Sequence, residues 1–384
     1  MRMIYLSPVP WASFSQRSHH FVNWYHNQTG ESVFWIDPYP TRLPSLNDFR
    51  RKLPVADQQS VSVPPWLQVC KLQTLPIEPI PGSAMVLKQL WRNIFKKTAA
   101  FSAGEPCMIC VGKPSELALQ LLSRMPESYA VYDAMDDFPA FYQGLSRWSM
   151  ERRQEHLIRR VSNVLVSSTA LRDKHLSVTD KVELALNACD MQELAPIESL
   201  DLGAKQQVLG YVGTVGRWFD WDLVIALARA NPENKIRLIG PIFSPAPCVL
   251  PANIELLPER SHASAIAAMA TFSVGLIPFR LSRLTASVDP IKYYEYRALG
   301  LPVISTRFGE MAQRGQEPGV WIVDEGTDLR KTTLEALASH SDHSTIHQFR
   351  QNNLWANRFS ATHMQTQVYA ARTEFDLRTQ QNPA

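Results

Sequence analysis

Leu209-Gly-Tyr-Val-Gly-Thr-Val-Gly-Arg217-Trp-Phe-Asp-Trp-Asp222 carries the reading of the fold. An apolar run ends at Gly213, a turn passes through Thr214–Gly216, and a helix is predicted near Asp220. Glycines let backbone N–H groups approach an anion, and the helix that follows adds partial positive charge, with Arg217 in reach of a phosphate. Taken alone, the pattern is equally that of a tight strand-to-helix turn. Asp220-Trp-Asp222 matches an Asp-x-Asp metal motif, but acids at a helix start are better explained as cap and first-turn residues.

Outward from this turn the same rhythm repeats. Strands are predicted at 208–212, 235–239, 253–256, 274–278, 302–306 and 320–324, with helices at 221–230, 263–270, 291–299 and 328–338. The first half reads likewise, with strands at 3–6, 33–37, 107–111, 130–133, 163–167 and 182–187. Its helices are predicted at 19–28, 85–97, 115–125, 151–160 and 169–175, and a proline-rich stretch at 43–84 reads as edge decoration. Apolar strands separated by helices indicate parallel sheets covered on both faces. The expectation is α/β: two Rossmann-like doubly wound domains, 1–200 and 206–345, joined by a linker at 191–205. A helical tail, 346–384, is expected to pack back on the first domain. Such sheets bind ligands at the carboxyl ends of their strands, so the site is expected in the cleft between the domains.

Composition narrows the function classes. A chain of 384 residues suits two or three domains of ordinary size. A hydrophobic fraction of 45% excludes wholesale disorder. With 39 basic and 36 acidic residues the net charge is +3, which gives no support to nucleic-acid binding. No signal peptide or membrane-spanning run is read, and five sparse cysteines suggest a reducing, cytoplasmic setting. Cys107 and Cys110 alternate on a predicted strand, the wrong place for a redox turn or metal pair. His340, His343 and His347 cluster in what reads as a polar loop between two helices, a poor place for a metal site.

The second informative stretch is Ser287-Val-Asp-Pro-Ile-Lys292-Tyr-Tyr-Glu295-Tyr-Arg-Ala-Leu-Gly-Leu-Pro-Val. Pro290 suits the first turn of a helix, and Lys292 and Glu295 lie one turn apart on it. A lysine there suits a diphosphate, and a glutamate can accept from two ribose hydroxyls. An i,i+3 ion pair is the alternative.

Taken in order, Gly-Tyr-Val-Gly-Thr-Val-Gly, Leu-Ile-Gly-Pro at 238–241, Val-Gly-Leu-Ile-Pro-Phe and Pro-Ile-Lys-Tyr-Tyr-Glu resemble the nucleotide-sugar half of GT-B-fold glycosyltransferases, over about 206–310. The resemblance implies that Asp289, Pro290, Ile291 and Lys292 lie at the donor diphosphate, Glu295 at the ribose, and Gly213, Gly216 and Arg217 at the phosphates. Many retaining members carry a second glutamate eight positions before Glu295, where this chain has Ser287, and the departure leans toward inversion. In the first half, Gln16, Arg17, His19 and His20 fall where acceptor-side residues of such enzymes lie, or form a polar helix start. Tyr132-Asp-Ala-Met-Asp136 is similar to the Tyr-x-x-x-Asp segment of the glucuronosyltransferase of xanthan synthesis, which implies Asp136 as general base. The alternative is a helix cap. Neighbouring Asp137 would raise one carboxyl pKa.

The resemblance implies a transferase that uses a nucleotide-sugar and a sugar or lipid-linked glycan acceptor, with no cofactor, no metal and no nucleic acid. A bacterial polysaccharide setting is expected. The alternatives are a sugar-nucleotide epimerase, a phosphorylase or a non-catalytic scaffold. Along 85–97, Val86, Leu87, Leu90, Trp91, Ile94 and Phe95 share one helical face, with Lys88, Arg92, Lys96 and Lys97 beside it. This pattern fits a helix packed on the sheet, or one resting on anionic lipid and placing the protein peripherally at the inner face of the plasma membrane.

Overall fold

The computed structural model describes residues 1–44, 62–72, 74–190 and 207–370. The chain forms two compact units. The first takes Met1–Ser167, Leu171–Ala185 and the chain from Phe359 onward, and the second takes Ser168–Ala170 and Leu186–Arg358.

The first unit is built on β1 (Met3–Leu6), β2 (Val33–Ile36), β3 (Leu67–Cys70), β4 (Met108–Val111), β5 (Tyr129–Ala134), β6 (Asn163–Val166) and β7 (Val182–Leu184). All neighbours are parallel, in the order β3-β2-β1-β4-β5-β6-β7. The strands β1, β2, β4 and β6 are buried at every position, as a sheet covered on both faces requires. Its helices are α1 (Arg17–Thr29), α2 (Ser83–Leu90), α3 (Arg92–Ser102), α4 (Glu116–Arg124), α5 (Gly144–Arg160) and α6 (Thr169–Leu176). Phe359 packs edge-on against Phe21 of α1 at 5.0 Å, so the chain beyond the second unit returns to the first.

The second unit repeats the pattern with β8 (Val208–Val212), α7 (Trp221–Ala230), β9 (Lys235–Ile239), β10 (Ile254–Leu257), α8 (His262–Ala270), β11 (Val274–Ile277), α9 (Ile291–Ala298), β12 (Val303–Thr306), β13 (Val320–Val323) and α10 (Leu329–Ala338). Strand order is β10-β9-β8-β11-β12-β13, again parallel. Each order reverses once, beside β1/β4 and beside β8/β11. Crevices outside the carboxyl ends of strands at such points are where open α/β sheets bind ligands.

Three expectations need correction. The helix predicted at 85–97 is two helices broken at Trp91, a buried ring packed against Tyr39 at 5.4 Å. The break sends Leu87, Trp91 and Ile94 into the core but leaves Val86 and Leu90 about half exposed, at 50% and 46%. The proline-rich stretch contains edge strand β3, whose four residues are too short to show a period. Helix α5 begins seven residues before its predicted start, since its exposed Leu145 and Trp148 give the first turns no clean apolar stripe. The stretch expected as a helical tail is made of several helices. It holds α11 (His343–Asn352), α12 (Trp355–Ser360) and helical residues to 370. The predicted linker at 191–205 and the tail beyond 370 lie outside the described residues.

Candidate active site

In the second unit, β8 ends in a loop held open by two glycines. Gly213 has φ 146°, and a Cβ there would lie 2.6 Å from Lys292 Cε. Gly240, after β9, has φ 139°, and its Cβ would strike the Gly213 carbonyl at 2.3 Å. Both positions need glycine because β8, β9 and α9 converge there. Val215 N–H is bonded to the Pro241 carbonyl. The N–H groups of Thr214, Gly216 and Arg217 have no acceptor among the described residues. Backbone N–H groups left open at a strand-to-helix turn are able to face an anion.

Lys292 lies in the first turn of α9, and its Nζ sits 3.2 Å from that imagined Gly213 Cβ. Its amine has no hydrogen-bond or ion-pair partner among the described residues. The i,i+3 pair with Glu295 does not form. Glu295 Oε2 is instead buried without a partner, a costly arrangement that a ligand hydroxyl would relieve. Ser287 Oγ is likewise buried and unpartnered. Arg217 is exposed beside the loop, and Gly216 lies against the Trp218 ring.

The remaining predicted donor residues divide by role. Pro290 is the N-cap of α9 and Ile291 its first residue. Asp289 is buried and offers no free carboxylate to a donor. It accepts from Arg314 Nη2 at 2.8 Å, Tyr294 Oη at 2.9 Å and the Asn187 amide at 2.7 Å. It fixes the start of α9. Asp220 caps α7 by accepting from Leu223 N, and Asp222 pairs with Arg280 at 2.8 Å.

In the first unit, the acceptor-side expectation is corrected for two residues. Arg17 is buried in an ion pair with Asp133 at 2.8 Å and donates to the Ala185 carbonyl. His19 accepts from Gln16 N through Nδ1, so Nε2 carries the proton and donates to the Trp11 carbonyl. Both residues hold the start of α1 in place. His20 is buried against Ser15 Oγ at 3.1 Å, and Gln16, the N-cap, keeps partial exposure.

Asp136 stands two residues past β5. Its neighbour Asp137 pairs with Lys174 at 2.6 Å, whereas the Asp136 side chain has no partner among the described residues. Burial pushes its pKa up to about 7, with Arg17 opposing and Asp137 and Asp133 adding to the rise. A carboxylate that gains and loses its proton near neutrality suits general-base work.

No family model matches the chain. It is 25% identical over 289 residues to the Bacillus subtilis (strain 168) protein named "Putative teichuronic acid biosynthesis glycosyltransferase TuaH", covering 66% of this chain and 69% of that one. Among solved structures, Anabaena HepE in complex with UDP and glucose superposes with a TM-score of 0.55 at 11% identity, covering 100% of both chains. AviGT4, a glycosyltransferase of avilamycin A biosynthesis, gives 0.57 at 13% identity over 96% of this chain and 97% of that chain. A UDP-forming trehalose-phosphate synthase from Burkholderia vietnamiensis gives 0.56 at 10% over all of both. With its two parallel-sheet units, the chain has the GT-B fold and resembles glycosyltransferases of that fold.

Proposed function

We propose that the protein is a glycosyltransferase that moves a sugar from a nucleoside diphosphate donor to an acceptor hydroxyl in bacterial polysaccharide or lipid-linked glycan synthesis. The observation that carries this is the unpaired Lys292 amine seated against Gly213, with a buried, unpartnered oxygen of Glu295 one turn away. In this reading Lys292, Arg217 and the loop N–H groups hold the leaving diphosphate, and Glu295 accepts from the ribose hydroxyls. Fixed donors aimed at charge that develops on the leaving group lower the barrier without reorganisation. The likeness to TuaH and to UDP-bound HepE supports this class of donor.

The diphosphate is proposed to be held without a metal ion, since cationic and N–H donors already surround its place while Asp220 and Asp222 are engaged by a helix cap and Arg280. Asp136 is proposed to take the acceptor's proton. The exposed Met85, Val86 and Leu90, beside Lys88, Arg92, Lys96 and Lys97, are proposed to rest on an anionic membrane surface.

Calorimetry with UDP tests the donor site. Lys292→Ala and Glu295→Ala should each weaken binding by about 1.5–3 kcal/mol, the range for hydrogen bonds to charged groups. Unchanged affinity in both would overturn the reading. Turnover of a UDP-sugar should survive a chelator, and a requirement for a divalent ion would refute the metal-free diphosphate site. Binding without turnover of any nucleotide-sugar would instead identify a scaffold.

A further inference from the structure

We propose that the groove between α3 and the β2–β3 edge of the first unit binds the headgroup of an anionic phospholipid, with the lipid phosphate at Arg2 and Lys97. The groove has a volume of about 530 Å3, room for a headgroup and its glycerol ester. Ser32, Phe34, Gln68 and Phe101 line it beside the two cations. Arg2 and Ser32 stand just before β1 and β2, at the amino ends of those strands. Asp136 stands beyond the carboxyl end of β5, at the opposite end of the same parallel sheet. The groove is therefore separate from the proposed chemistry, which such folds place at the carboxyl ends.

Among the described residues no carboxylate lines the groove, and Glu31, next to Ser32, is taken by the Met1 amine at 2.6 Å. Arg2 is partly buried, with its guanidinium 5.7 Å from the centroid of the Phe101 ring. It donates from Nη1 to the Phe101 carbonyl, and its other side-chain N–H groups have no acceptor among the described residues. Its backbone carbonyl accepts from Met108 N at 2.9 Å, so the sheet fixes the stem of this side chain. Lys97 lies one helical turn before Phe101, and its amine has no partner among the described residues. A partly desolvated guanidinium without a counter-ion is unfavourable, and its planar fork matches two oxygens of a phosphate.

The rest of the lining separates a lipid from a bare phosphate. Phe34 and Phe101 pack at 5.4 Å and give the groove an apolar floor, suited to the ester and first methylenes of an acyl chain. Ser32 Oγ and the exposed Gln68 amide have no partner among the described residues and can bond headgroup hydroxyls. Lys97 also belongs to the basic surface proposed above to rest on anionic lipid, so the groove borders that surface. The inference rests on that membrane reading and makes it selective. Diffuse attraction does not tell one acidic headgroup from another, whereas directed donors do.

The test titrates the full-length protein by calorimetry with dihexanoyl phosphatidylglycerol kept below its micelle concentration, so that no membrane surface is present. Dihexanoyl phosphatidylcholine and glycerol 3-phosphate are the comparison ligands. Phosphatidylglycerol should bind wild type more tightly than either. Its affinity should fall about tenfold or more in Lys97→Gln and in Arg2→Gln, the loss expected for a charge-assisted contact. It should stay the same when Lys88→Gln and Arg92→Gln are combined, which lowers surface charge outside the groove. Lys97 has no partner to lose, so Lys97→Gln should keep the wild-type melting temperature and reads the groove even where Arg2→Gln is destabilised. Unchanged affinity in Lys97→Gln would overturn the groove, as would an equal loss in the Lys88/Arg92 variant. Glycerol 3-phosphate binding as tightly as the lipid would overturn the lipid and assign the groove to a free phosphate ester. Pelleting with anionic vesicles without capture of the monomeric lipid would overturn the groove and keep the membrane surface. Capture without pelleting would support the groove and count against the membrane surface.

Discussion

At the scale of single residues, the second unit leaves a cation and a carboxylate oxygen unsatisfied where a diphosphate and a ribose would complete them. The first unit leaves Asp136 unpaired while its neighbours are matched, Asp137 with Lys174 and Asp133 with Arg17. That division gives Asp136 its elevated pKa of about 7, since burial acts on a carboxyl with no cation bonded to it. As a base it works only when ionised, so activity should rise through pH 7 and level off above it. Asp136→Asn keeps the shape and removes the basic oxygen. It should lower turnover by about 100-fold or more, with UDP affinity nearly unchanged, in an assay of sugar transfer. Near-wild-type turnover would remove Asp136 from the chemistry. The raised pKa also has a consequence for stability. An unfolded aspartate ionises near pH 4 and the folded one near 7, so stability present below pH 4 is lost as the pH rises to 7. Asp136→Asn removes this loss and should raise the melting temperature at pH 8 but not at pH 4. Each tenfold difference in proton affinity between folded and unfolded chain is worth about 1.4 kcal/mol. The solvent access this side chain keeps reduces the total, so a gain on the order of 2 kcal/mol is expected. A site that is destabilising until used is the expected trade between stability and activity.

At the scale of elements, α9 is the piece of structure whose placement decides the proposed donor site, and Arg314 and Asp289 decide its placement. Arg314 is buried, stacks 3.9 Å from the Tyr293 centroid and pairs with Asp289 at 2.8 Å. Burial works against its charge, yet Asp289 holds its pKa above the usual value. Arg314→Met should cost about 3–5 kcal/mol, because it strands a buried carboxylate, and the urea midpoint should fall accordingly. It should also weaken UDP binding measured well below that midpoint, although Arg314 touches no proposed ligand atom. Lost stability with unchanged UDP affinity would confine the pair to the core. This device was hidden from sequence reasoning. Arg314 follows α9 by sixteen residues, and nothing local marks it as the partner of Asp289. By contrast, β8, α7 and β9 fall at their predicted bounds, because Gly213, Asp220 and Gly240 punctuate them with turn and cap chemistry. Arg17 and His19 misled for a related reason. Basic side chains at a helix start look like ligand donors until the fold buries them against Asp133 and the Trp11 carbonyl.

At the scale of the molecule, a net charge of +3 hides a local concentration of basic residues. Lys88, Arg92, Lys96 and Lys97 are all exposed on α2 and α3. The break at Trp91 turns three of the large apolar residues outward, with Met85 80% exposed. No helix among the described residues is long and apolar enough to cross a membrane, so any membrane attachment through this surface is peripheral. Apolar side chains that enter the headgroup boundary and cations that meet anionic lipid would act together. Each cation near an anionic surface contributes about 1 kcal/mol, so four supply roughly 4 kcal/mol at low salt. That sum falls within a Debye length of about 8 Å at physiological ionic strength and shrinks further in high salt. The protein should therefore sediment with phosphatidylglycerol vesicles and not with phosphatidylcholine ones, and added salt should release most of it. Replacing the four basic residues by glutamine should abolish pelleting, and Met85→Ser with Val86→Ser should weaken it while UDP affinity stays constant. The two sets separate the electrostatic from the apolar contribution. Equal pelleting of wild type and both variants would return α2 and α3 to a role in packing alone. Loss in the glutamine variant only would describe a surface held by charge, with its apolar residues above the lipid.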